Sequence, residues 1–185
     1  ASLMTVIGND EPGHILADLL EKAGIGTMLH VDASLSTTVK LRIVARQQQM
    51  LRADFENHPN NEVLAALLGD YETTIASVDA VILSDYGKGG LDHIKQMISE
   101  ARRHRKPVLI DPKGDDYERY RGATVITPNR SELRQVVGAW KSEADLLERA
   151  QNLRAELDLQ YLLLTRSEEG MTLFSDEGAM TVPAQ

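Results

Sequence analysis

Polar side chains follow four short apolar runs of this 185-residue chain, at the point where each run ends. The four polar segments are Ser84-Asp85-Tyr86-Gly87-Lys88-Gly89, Asp111-Pro112-Lys113-Gly114, Thr127-Pro128-Asn129-Arg130-Ser131-Glu132 and Thr165-Arg166-Ser167-Glu168-Glu169-Gly170. Lysine and arginine suit a phosphorylated ligand, because their N–H groups donate charge-assisted hydrogen bonds to phosphate oxygens. Glutamate and asparagine oxygens suit hydrated Mg²⁺. The residue types therefore indicate a site for phosphate and magnesium, provided that the fold brings the four segments together.

The elements around these segments predict such a fold. The apolar runs at 78–83, 107–110, 123–126 and 161–164 predict strands, and helical patterns at 91–104, 130–137 and 142–157 separate them. This alternation predicts an α/β protein with a mostly parallel sheet and helices on both faces. Parallel strands end at one edge of their sheet, where α/β proteins bind ligands. Any one polar loop is equally well explained as an ordinary loop, but four with the same mixture of residues favour a binding edge.

A second group of cations lies on a predicted antiparallel hairpin. In residues 38–45 apolar and polar side chains alternate, so that Lys40 and Arg42 share one face. A second alternating run at 49–55 predicts the partner strand and places Arg52 beside them. The cations form either a binding face or a charged edge that keeps the hairpin soluble. The pattern alone leaves both readings open.

Composition excludes several classes of function. The chain has 20 Lys and Arg against 28 Asp and Glu, a net charge of -8, which argues against sequence-independent binding to nucleic acid. With no cysteine, disulfides, thiolate catalysis and cysteine zinc sites are excluded. No apolar stretch approaches the ~18 residues of a membrane span, and no signal sequence opens the chain. We therefore expect a soluble, cytoplasmic protein with no membrane or nucleic-acid partner.

Three familiar catalytic motifs are missing. Gly8 and Gly13 have the spacing that opens a Walker A loop, but His14 and Ile15 stand where lysine and serine or threonine are required. No G-x-S-x-G elbow occurs, so a serine hydrolase has no support. The five histidines never fall four residues apart on one helix, which argues against a zinc site.

Together the segments resemble the ribokinase-type (PfkB) family of carbohydrate kinases. The matching residues are 6–13, 38–43, 48–56, 83–89, 110–114, 120–124, 127–132 and 165–171. The Asn-x-x-Glu element at 129–132 is shared widely in that family. The S-D-Y-x-K-G and D-P-K-G segments with the hairpin sequence are more specific to the branch that phosphorylates a heptose 7-phosphate for ADP-heptose and lipopolysaccharide synthesis. The resemblance implies a ribokinase-like fold in which the hairpin, about 36–56, is a lid.

The resemblance also implies an ATP site with Mg²⁺. Asn129 and Glu132 would hold the magnesium–phosphate arrangement, Glu132 through water. Lys113 would support catalysis by facing the transferred phosphoryl group, where a cation offsets developing charge. The segment that would line the nucleotide runs from 165 to 170, with Thr165, Arg166 and Gly170 as its named contacts.

For the sugar phosphate, the resemblance implies contacts from the hairpin and from the first strand end. The candidate residues are Lys40, Arg42, Arg52, Asp85 and Lys88. Lids of this family often associate into a homodimer, which would bury the apolar hairpin face of Val39, Leu41 and Ile43.

Two family motifs do not occur in residues 1–185. The Gly-Gly sugar-binding segment is expected before residue 1, and the G-A-G-D motif, whose aspartate is the catalytic base, is expected after residue 185. The chain is therefore expected to be the central part of one kinase domain, truncated at both ends, without a catalytic base and inactive by itself. A kinase of another phosphorylated sugar, such as a fructose phosphate, and a non-catalytic nucleotide-binding or dimerisation module remain alternatives. The sequence leaves open whether the whole protein also carries a nucleotidyltransferase domain.

Overall fold

The structure is a computed structural model that describes residues 1–184. The strands are β1 (Ser2–Gly8), β2 (Gly26–Asp32), β3 (Val39–Ala45), β4 (Gln48–Phe55), β5 (Val81–Ser84), β6 (Val108–Asp111), β7 (Val125–Ile126), β8 (Tyr161–Thr165), β9 (Met171–Ser175) and β10 (Gly178–Val182). The helices are α1 (Glu11–Lys22), α2 (Asn61–Thr74), α3 (Ile94–Arg103), α4 (Arg130–Val137) and α5 (Glu143–Glu156), with 3-10 turns at Ile75–Ser77, Tyr117–Tyr120 and Ser167–Glu169. The chain forms two compact units: residues 1–71 with 88–92, and the rest of the described chain.

The first unit contains a parallel pair of strands, β1 and β2, connected by α1. Asp10 caps α1 by accepting a hydrogen bond from the Gly13 amide at 3.0 Å. The helix ends before Gly24, whose φ of +67° suits glycine. Strand β2 is not predicted from the sequence. Its apolar side chains are at most partly buried, and it includes His30 and a buried Asp32, so the segment lacks a clear apolar alternation.

The predicted hairpin is confirmed in register. Strands β3 and β4 form a separate antiparallel sheet in which Arg42 lies opposite Arg52 and Lys40 opposite Asp54. The connecting residues 46 and 47 both have positive φ, as a tight two-residue hairpin turn requires. All three cations therefore lie on one face of the hairpin, as the period-two pattern predicts.

The second unit is built on a six-stranded sheet in the order β5-β6-β7-β8-β9-β10. The first four strands run parallel, and β9 and β10 join antiparallel at one side. Helices α3, α4 and α5 pack against β6, β8 and β9. The mostly parallel sheet is thus confirmed. Among the helices of residues 1–184, none has the length and apolar character of a membrane span.

One face of this sheet carries the core of the second unit. Five residues that pair across neighbouring strands are each at most 4% exposed: Leu83, Ile110, Ile126, Leu162 and Phe174. On the opposite face Ile82 is 73% exposed. The buried row holds the parallel strands in register, so the polar segments that follow them start from a rigid edge.

Candidate active site

Backbone hydrogen bonds tie the predicted polar segments together at the carboxyl edge of β5 to β8. The Asp85 amide donates to the Asp111 carbonyl, the Thr127 amide to the Ile110 carbonyl, and the Thr165 amide to the Pro128 carbonyl, each at 2.9 Å. These bonds continue the pairing of the strands past the ends of β5 and β7. The structure therefore brings together the four segments that the sequence singles out, in the order of the strands.

Asn129 and Glu132 form a capping box at the start of α4. The Asn129 Oδ1 accepts hydrogen bonds from the amides of Ser131 and Glu132 at 2.9 and 3.0 Å, and Glu132 Oε2 accepts from the Asn129 amide at 3.0 Å. Such a reciprocal pair satisfies amides that a helix start leaves unpaired. Part of the Asn-x-x-Glu pattern is thus explained by local helix geometry. Only the second oxygen of Glu132 is left for other partners.

That second oxygen faces Lys113 from the neighbouring segment. The Lys113 ammonium lies 3.3 Å from Glu132 Oε1, and the carboxylate side chain is 15% exposed against 53% for the lysine. Because the lysine is half exposed and the contact is a single one, the pair adds little to stability. Its consequence is positional: a lysine and a glutamate from different strand ends meet at one point of the sheet edge.

Asp85 is buried, and both of its oxygens have partners. Oδ1 accepts from the Gly87 amide at 2.7 Å, and Oδ2 lies 2.8 Å from the Tyr120 hydroxyl and 3.6 Å from an Arg119 nitrogen. The Tyr120 hydroxyl also accepts from the Lys113 amide at 3.0 Å. Asp85 therefore holds the loops after β5 and β6 together, a role that its residue type does not reveal in the sequence. Its predicted contact with a sugar stays a prediction.

The loop after β6 carries two ionisable groups that the sequence analysis leaves without a role. Desolvation, and then the charge of Glu132, raises the pKa of Asp111, while Lys113 lowers it. Tyr117 is 2% exposed, and its hydroxyl has no hydrogen-bond partner in the described chain. Burial and the nearby carboxylates raise the pKa of Tyr117 well above its ordinary value. The burial of Tyr117 and the effect of Glu132 on Asp111 depend on the folded positions of these side chains, which residue type and spacing do not reveal.

Arg166 lies in a network of ion pairs after β8. Its guanidinium contacts both oxygens of Glu143, and one of its nitrogens lies 2.6 Å from a carboxylate oxygen of Glu169. A further nitrogen donates to Thr172 Oγ1 at 3.2 Å. Hydrogen bonds to these carboxylates raise the pKa of Arg166 above its usual value. The side chain is 8% exposed, so the network fixes the loop at 165–170 from inside.

Thr165 and Gly170 bracket that loop. Thr165 forms a parallel bridge with Asn129, which joins the loop to the start of α4. Gly170 has φ of +90°, and a Cβ there would come within 2.0 Å of the Val182 carbonyl oxygen. Glycine is therefore required by the backbone at this position. Its contact with a nucleotide stays a prediction.

A cavity of about 280 Å³ lies beside the capping box. Its lining residues are Arg130, Ser131, Arg134 and Trp140. The Arg130 guanidinium lies 5.9 Å from the centre of the Trp140 ring and forms an ion pair with Glu169. Trp140 is the one tryptophan of the sequence, so its fluorescence reports on this cavity.

In the first unit, the hairpin cations meet a carboxylate on their own face. Arg52 Nε and a terminal nitrogen lie 2.8 and 2.7 Å from the two oxygens of Asp54. The hydrogen bond from Arg52 lowers the pKa of Asp54, and Lys40 and Arg42 lower it further. Lys88 forms an ion pair with Glu56, just beyond β4. The structure thus brings Lys40, Arg42 and Arg52 together and ties Lys88 to the end of the hairpin.

Two aspartates hold the segments on either side of the hairpin. Asp10 accepts from the Thr37 amide and hydroxyl, and Asp32 accepts from the Asn60 amide at 2.8 Å. The sequence does not single them out, because their partners lie 27 and 28 residues away.

Close packing explains why a glycine stands at position 8, although the segment is not a Walker A loop. A Cβ on Gly8 would come within 2.3 Å of the Leu35 carbonyl oxygen.

Solved structures define the class to which this fold belongs. Ribokinase from Giardia lamblia superposes with a TM-score of 0.80 at 14% identity, covering 100% of this chain and 60% of that one. Phosphofructokinase-2 from Escherichia coli, in complex with fructose-6-phosphate, superposes with a TM-score of 0.77 at 16% identity, covering 100% and 63%. The chain therefore has a ribokinase-like α/β fold.

Sequence comparison narrows the class to a family. The sequence model of the family described as pfkB family carbohydrate kinase matches residues 1–185. The chain therefore belongs to that family. It is 51% identical over 177 residues to the D-beta-D-heptose 7-phosphate kinase of Bordetella bronchiseptica, covering 96% of this chain and 56% of that protein. It is 49% identical over 171 residues to the bifunctional protein HldE of Actinobacillus succinogenes, covering 92% and 36%. The chain thus spans between about a third and a little over half of these relatives' length.

Proposed function

We propose that the chain is the central part of a kinase that transfers the γ-phosphate of ATP to the anomeric hydroxyl of D-glycero-D-manno-heptose 7-phosphate. The product is a precursor of ADP-heptose for the lipopolysaccharide core. The observation that carries the proposal is the meeting of Lys113 and Glu132 at the carboxyl edge of a pfkB-family sheet. The 51% identity to a heptose 7-phosphate kinase supports this choice of sugar.

The donor groups at this edge suit a hydrated magnesium ion. Magnesium keeps several waters and is usually held through one or two carboxylates together with substrate phosphates. Glu132 and Asp111 supply two carboxylates at this edge, and desolvation first, and then repulsion by the charge of Glu132, raises the pKa of Asp111. A cation between them would relieve that repulsion and would neutralise charge on the nucleotide phosphates. Glu132 would act through water, because its Oε2 caps α4.

Lys113 is the residue we assign to the transferred phosphoryl group. Its side chain is 53% exposed and has a single carboxylate contact at 3.3 Å, so the lysine can turn toward a phosphate and keep its own charge in water. A point cation there stabilises the charge that spreads over the phosphoryl oxygens during transfer. Thr165, Arg166 and Gly170 would shape the loop that lines the nucleotide, with Arg166 acting from behind the loop.

The sugar phosphate would be bound by the cationic face of the hairpin. Arg42 lies directly opposite Arg52, and two like charges at that spacing repel unless an anion joins them. Asp54 supplies part of that negative charge in the structure. A doubly charged phosphate on the same face would be held by Lys40, Arg42 and Arg52 together. Asp85 and Lys88 remain proposed sugar contacts of the strand end.

The catalytic base is proposed to lie outside residues 1–185. No G-A-G-D sequence occurs in the chain, and Asp85, the buried carboxylate of this edge, has both oxygens bonded. The 185 residues by themselves should then turn over at a small fraction of the whole protein's rate. A missing base alone typically costs about 10²–10⁴-fold. ADP release within about tenfold of the whole protein would show that a base lies in this chain.

The apolar face of the hairpin is proposed to form a homodimer. Leu41 and Ile43 are each 47% exposed and Phe55 is 56% exposed on the face opposite the cations. Leu41→Glu should convert a dimer to a monomer in light scattering, whereas Gln49→Glu near the turn should not. A dimer that survives Leu41→Glu would place the interface elsewhere.

The decisive assay measures ADP release by the full-length protein with Mg-ATP and a panel of sugars. Heptose 7-phosphate should be turned over much faster than fructose 6-phosphate. Faster turnover of fructose 6-phosphate would support the kinase activity but would show that the substrate is a different sugar phosphate. Binding of ADP, read from Trp140 fluorescence, without turnover of any sugar would favour the non-catalytic module.

A further inference from the structure

The Tyr120 hydroxyl is the contact that holds the backbone of Lys113. Its oxygen accepts a hydrogen bond from the Lys113 amide at 3.0 Å and lies 3.0 Å from the Lys113 carbonyl oxygen. Among residues 1–184, no backbone–backbone hydrogen bond involves Lys113, and the preceding Pro112 has no N–H to donate. After β6 ends at Asp111, the path of the chain to Lys113 is therefore fixed by a side chain from the 3-10 turn at Tyr117–Tyr120.

Asp85 orients that hydroxyl. Burial raises the pKa of Tyr120 well above its ordinary value, so the hydroxyl keeps its proton. A hydroxyl has one proton to donate, and the carboxylate oxygen Oδ2 of Asp85, at 2.8 Å, is a stronger acceptor than the neutral carbonyl of Lys113. The proton is therefore directed to Asp85, which leaves the lone pairs of the hydroxyl oxygen for the Lys113 amide. A chain of hydrogen bonds thus runs from the Lys113 amide through Tyr120 to Asp85.

The same carboxylate also holds a turn beside the side chain of Lys113. Asp85 Oδ1 accepts from the Gly87 amide at 2.7 Å. Gly87 has φ of +67°, and a Cβ there would lie 3.6 Å from Lys113 Cγ. Asp85 and Tyr120 are 5% and 0% exposed, so water does not compete for the hydrogen bonds between them. The lysine therefore starts from a backbone that is held by a buried network and passes beside a turn that the network also holds.

We propose that Tyr120 is a positioning residue of the kinase site, whose hydroxyl, oriented by Asp85, fixes the backbone of Lys113 so that the ammonium reaches the transferred phosphoryl group. This inference rests on the proposed function, since that function supplies the phosphoryl group. Tyr120 is fully buried, so it touches no substrate and acts through Lys113. A misplacement of about 1 Å can cost about a hundredfold in rate, so a single hydrogen bond to this backbone is enough to affect turnover.

The test is a double-mutant cycle in the full-length protein, followed by ADP release at saturating Mg-ATP and heptose 7-phosphate. Its variants are Tyr120→Phe, Lys113→Met and the two combined. Tyr120→Phe should lower kcat about tenfold and change KM less, because Lys113 acts on charge that develops in the transition state. In the Lys113→Met background, the same change should lower kcat less than about twofold, because no ammonium is left to position.

Urea unfolding of the same preparations measures the loss of stability. Tyr120→Phe should lower the unfolding midpoint, because it leaves the Lys113 amide and an Asp85 oxygen without the hydroxyl. Thr124→Val is the matched control, since it removes a hydroxyl that accepts from the Val108 amide at 2.9 Å, at the opposite end of β6. It should lower the midpoint and leave kcat unchanged. If Tyr120→Phe does not fold, Asp85→Asn repeats the cycle, because asparagine keeps the shape and one acceptor oxygen.

The outcomes separate this inference from the function on which it rests. An equal loss of kcat from Tyr120→Phe in both backgrounds overturns the inference, since the tyrosine would then not act through Lys113. A loss of kcat in Thr124→Val as large as that in Tyr120→Phe also overturns it, because reduced stability would explain both. If Lys113→Met lowers kcat and Tyr120→Phe does not, the inference is wrong and the kinase proposal stands. Wild-type kcat in Lys113→Met overturns the assignment of Lys113 in the proposed function, and this inference with it.

Discussion

The carboxylate of Asp10 holds Thr37 by two hydrogen bonds, one from the Thr37 amide to Oδ2 at 2.8 Å and one from its hydroxyl to Oδ1 at 2.6 Å. The Thr37 hydroxyl in turn accepts from the Gly8 amide at 2.8 Å. Asp32 holds the other side of the hairpin by accepting from the Asn60 amide, and it also accepts from the Ser34 amide before the hairpin. Each end of the hairpin segment is thus fixed to the end of a strand by one carboxylate.

These two carboxylates should make stability fall in acid. Hydrogen bonds from Thr37 lower the pKa of Asp10 below 3.8, and hydrogen bonds from Ser34 and Asn60 lower the pKa of Asp32 below 3.8. A folded-state pKa below the unfolded value favours folding when the group is ionised. The contribution is therefore complete above roughly pH 5 and is lost as the pH falls through 3.8 toward the folded value.

Urea unfolding between pH 3 and pH 7 measures this contribution. Asp10→Asn should be less stable than wild type at pH 7, because an amide NH₂ would face the donor groups of Thr37. Its stability should also change less between pH 5 and pH 3. Thr37→Ser keeps the hydroxyl and should follow wild type. Parallel pH profiles for wild type and Asp10→Asn would contradict the anchor.

Asn129 and Glu132 should separate into a structural and a chemical role. Asn129→Ala removes the acceptor of two amides and should destabilise the protein by about 0.5–2 kcal/mol, the usual cost of an N-cap. Glu132→Gln keeps an acceptor for the Asn129 amide, since glutamine also serves in a capping box. It should leave the unfolding midpoint nearly unchanged.

Glu132→Gln should nevertheless lower kcat by about tenfold or more, because each loss of about 1.4 kcal/mol of transition-state stabilisation costs a factor of ten. Urea unfolding and ADP-release assays on the same preparations check the pair. Unchanged turnover and unchanged ADP affinity in Glu132→Gln would remove Glu132 from the metal site and leave it as a cap.

The main sheet could be predicted from sequence because its parallel strands are apolar runs. Strands β5, β6 and β8 are short apolar runs, and apolar runs that alternate with helical patterns predict a parallel sheet. Strand β2 could not be predicted, because its buried Asp32 is polar and its exposed Val31 is apolar, so residue type does not follow burial there. The residue types of the sheet edge were also sufficient to predict which segments meet there.

The hydrogen-bond partners of the site residues could not be predicted, because they lie far away in the sequence. Arg166 was recognised as a cation of the edge, but its partner Glu143 lies 23 residues earlier on another element. Asp85 was recognised as a strand-end carboxylate, but its partner Tyr120 lies 35 residues later. Spacing reveals neighbours on one helix or strand only, so sequence can place such residues at an edge without showing which of their atoms are already bonded.

The hairpin cations should control the affinity for the sugar and not for the nucleotide. Arg42→Ala and Arg52→Ala in the full-length protein should raise KM for the sugar phosphate about tenfold to a hundredfold, the loss of a charge-assisted hydrogen bond. KM for ATP should stay the same. Arg46→Gln removes a cation from the turn of the same hairpin and serves as the control. If KM for the sugar is unchanged in all three alanine variants, Lys40→Ala included, the cations keep the hairpin soluble and do nothing else.

We expect Arg166 to act first of all on the stability of the protein. Its guanidinium contacts Glu143 and Glu169 at once, and lysine has one point charge where arginine has a planar fork. Arg166→Lys should therefore lower the free energy of unfolding by about 1–3 kcal/mol, since at least one hydrogen bond to a charged group is lost. Arg103→Lys, in an exposed pair with Glu100, is the control and should change stability much less.

Nucleotide binding by the same variant decides how Arg166 contributes to the site. Because Arg166 lies behind the loop at 165–170, Arg166→Lys should weaken ADP only as far as the loop loosens. The loss of ADP affinity, read from Trp140 fluorescence, should then shrink on cooling toward the temperature of greatest stability, where the variant loop is held best. A loss of ADP affinity in a variant whose unfolding midpoint equals that of wild type would mean that the guanidinium contacts the nucleotide directly. In that case the ion pairs with Glu143 and Glu169 would have to open when the nucleotide binds.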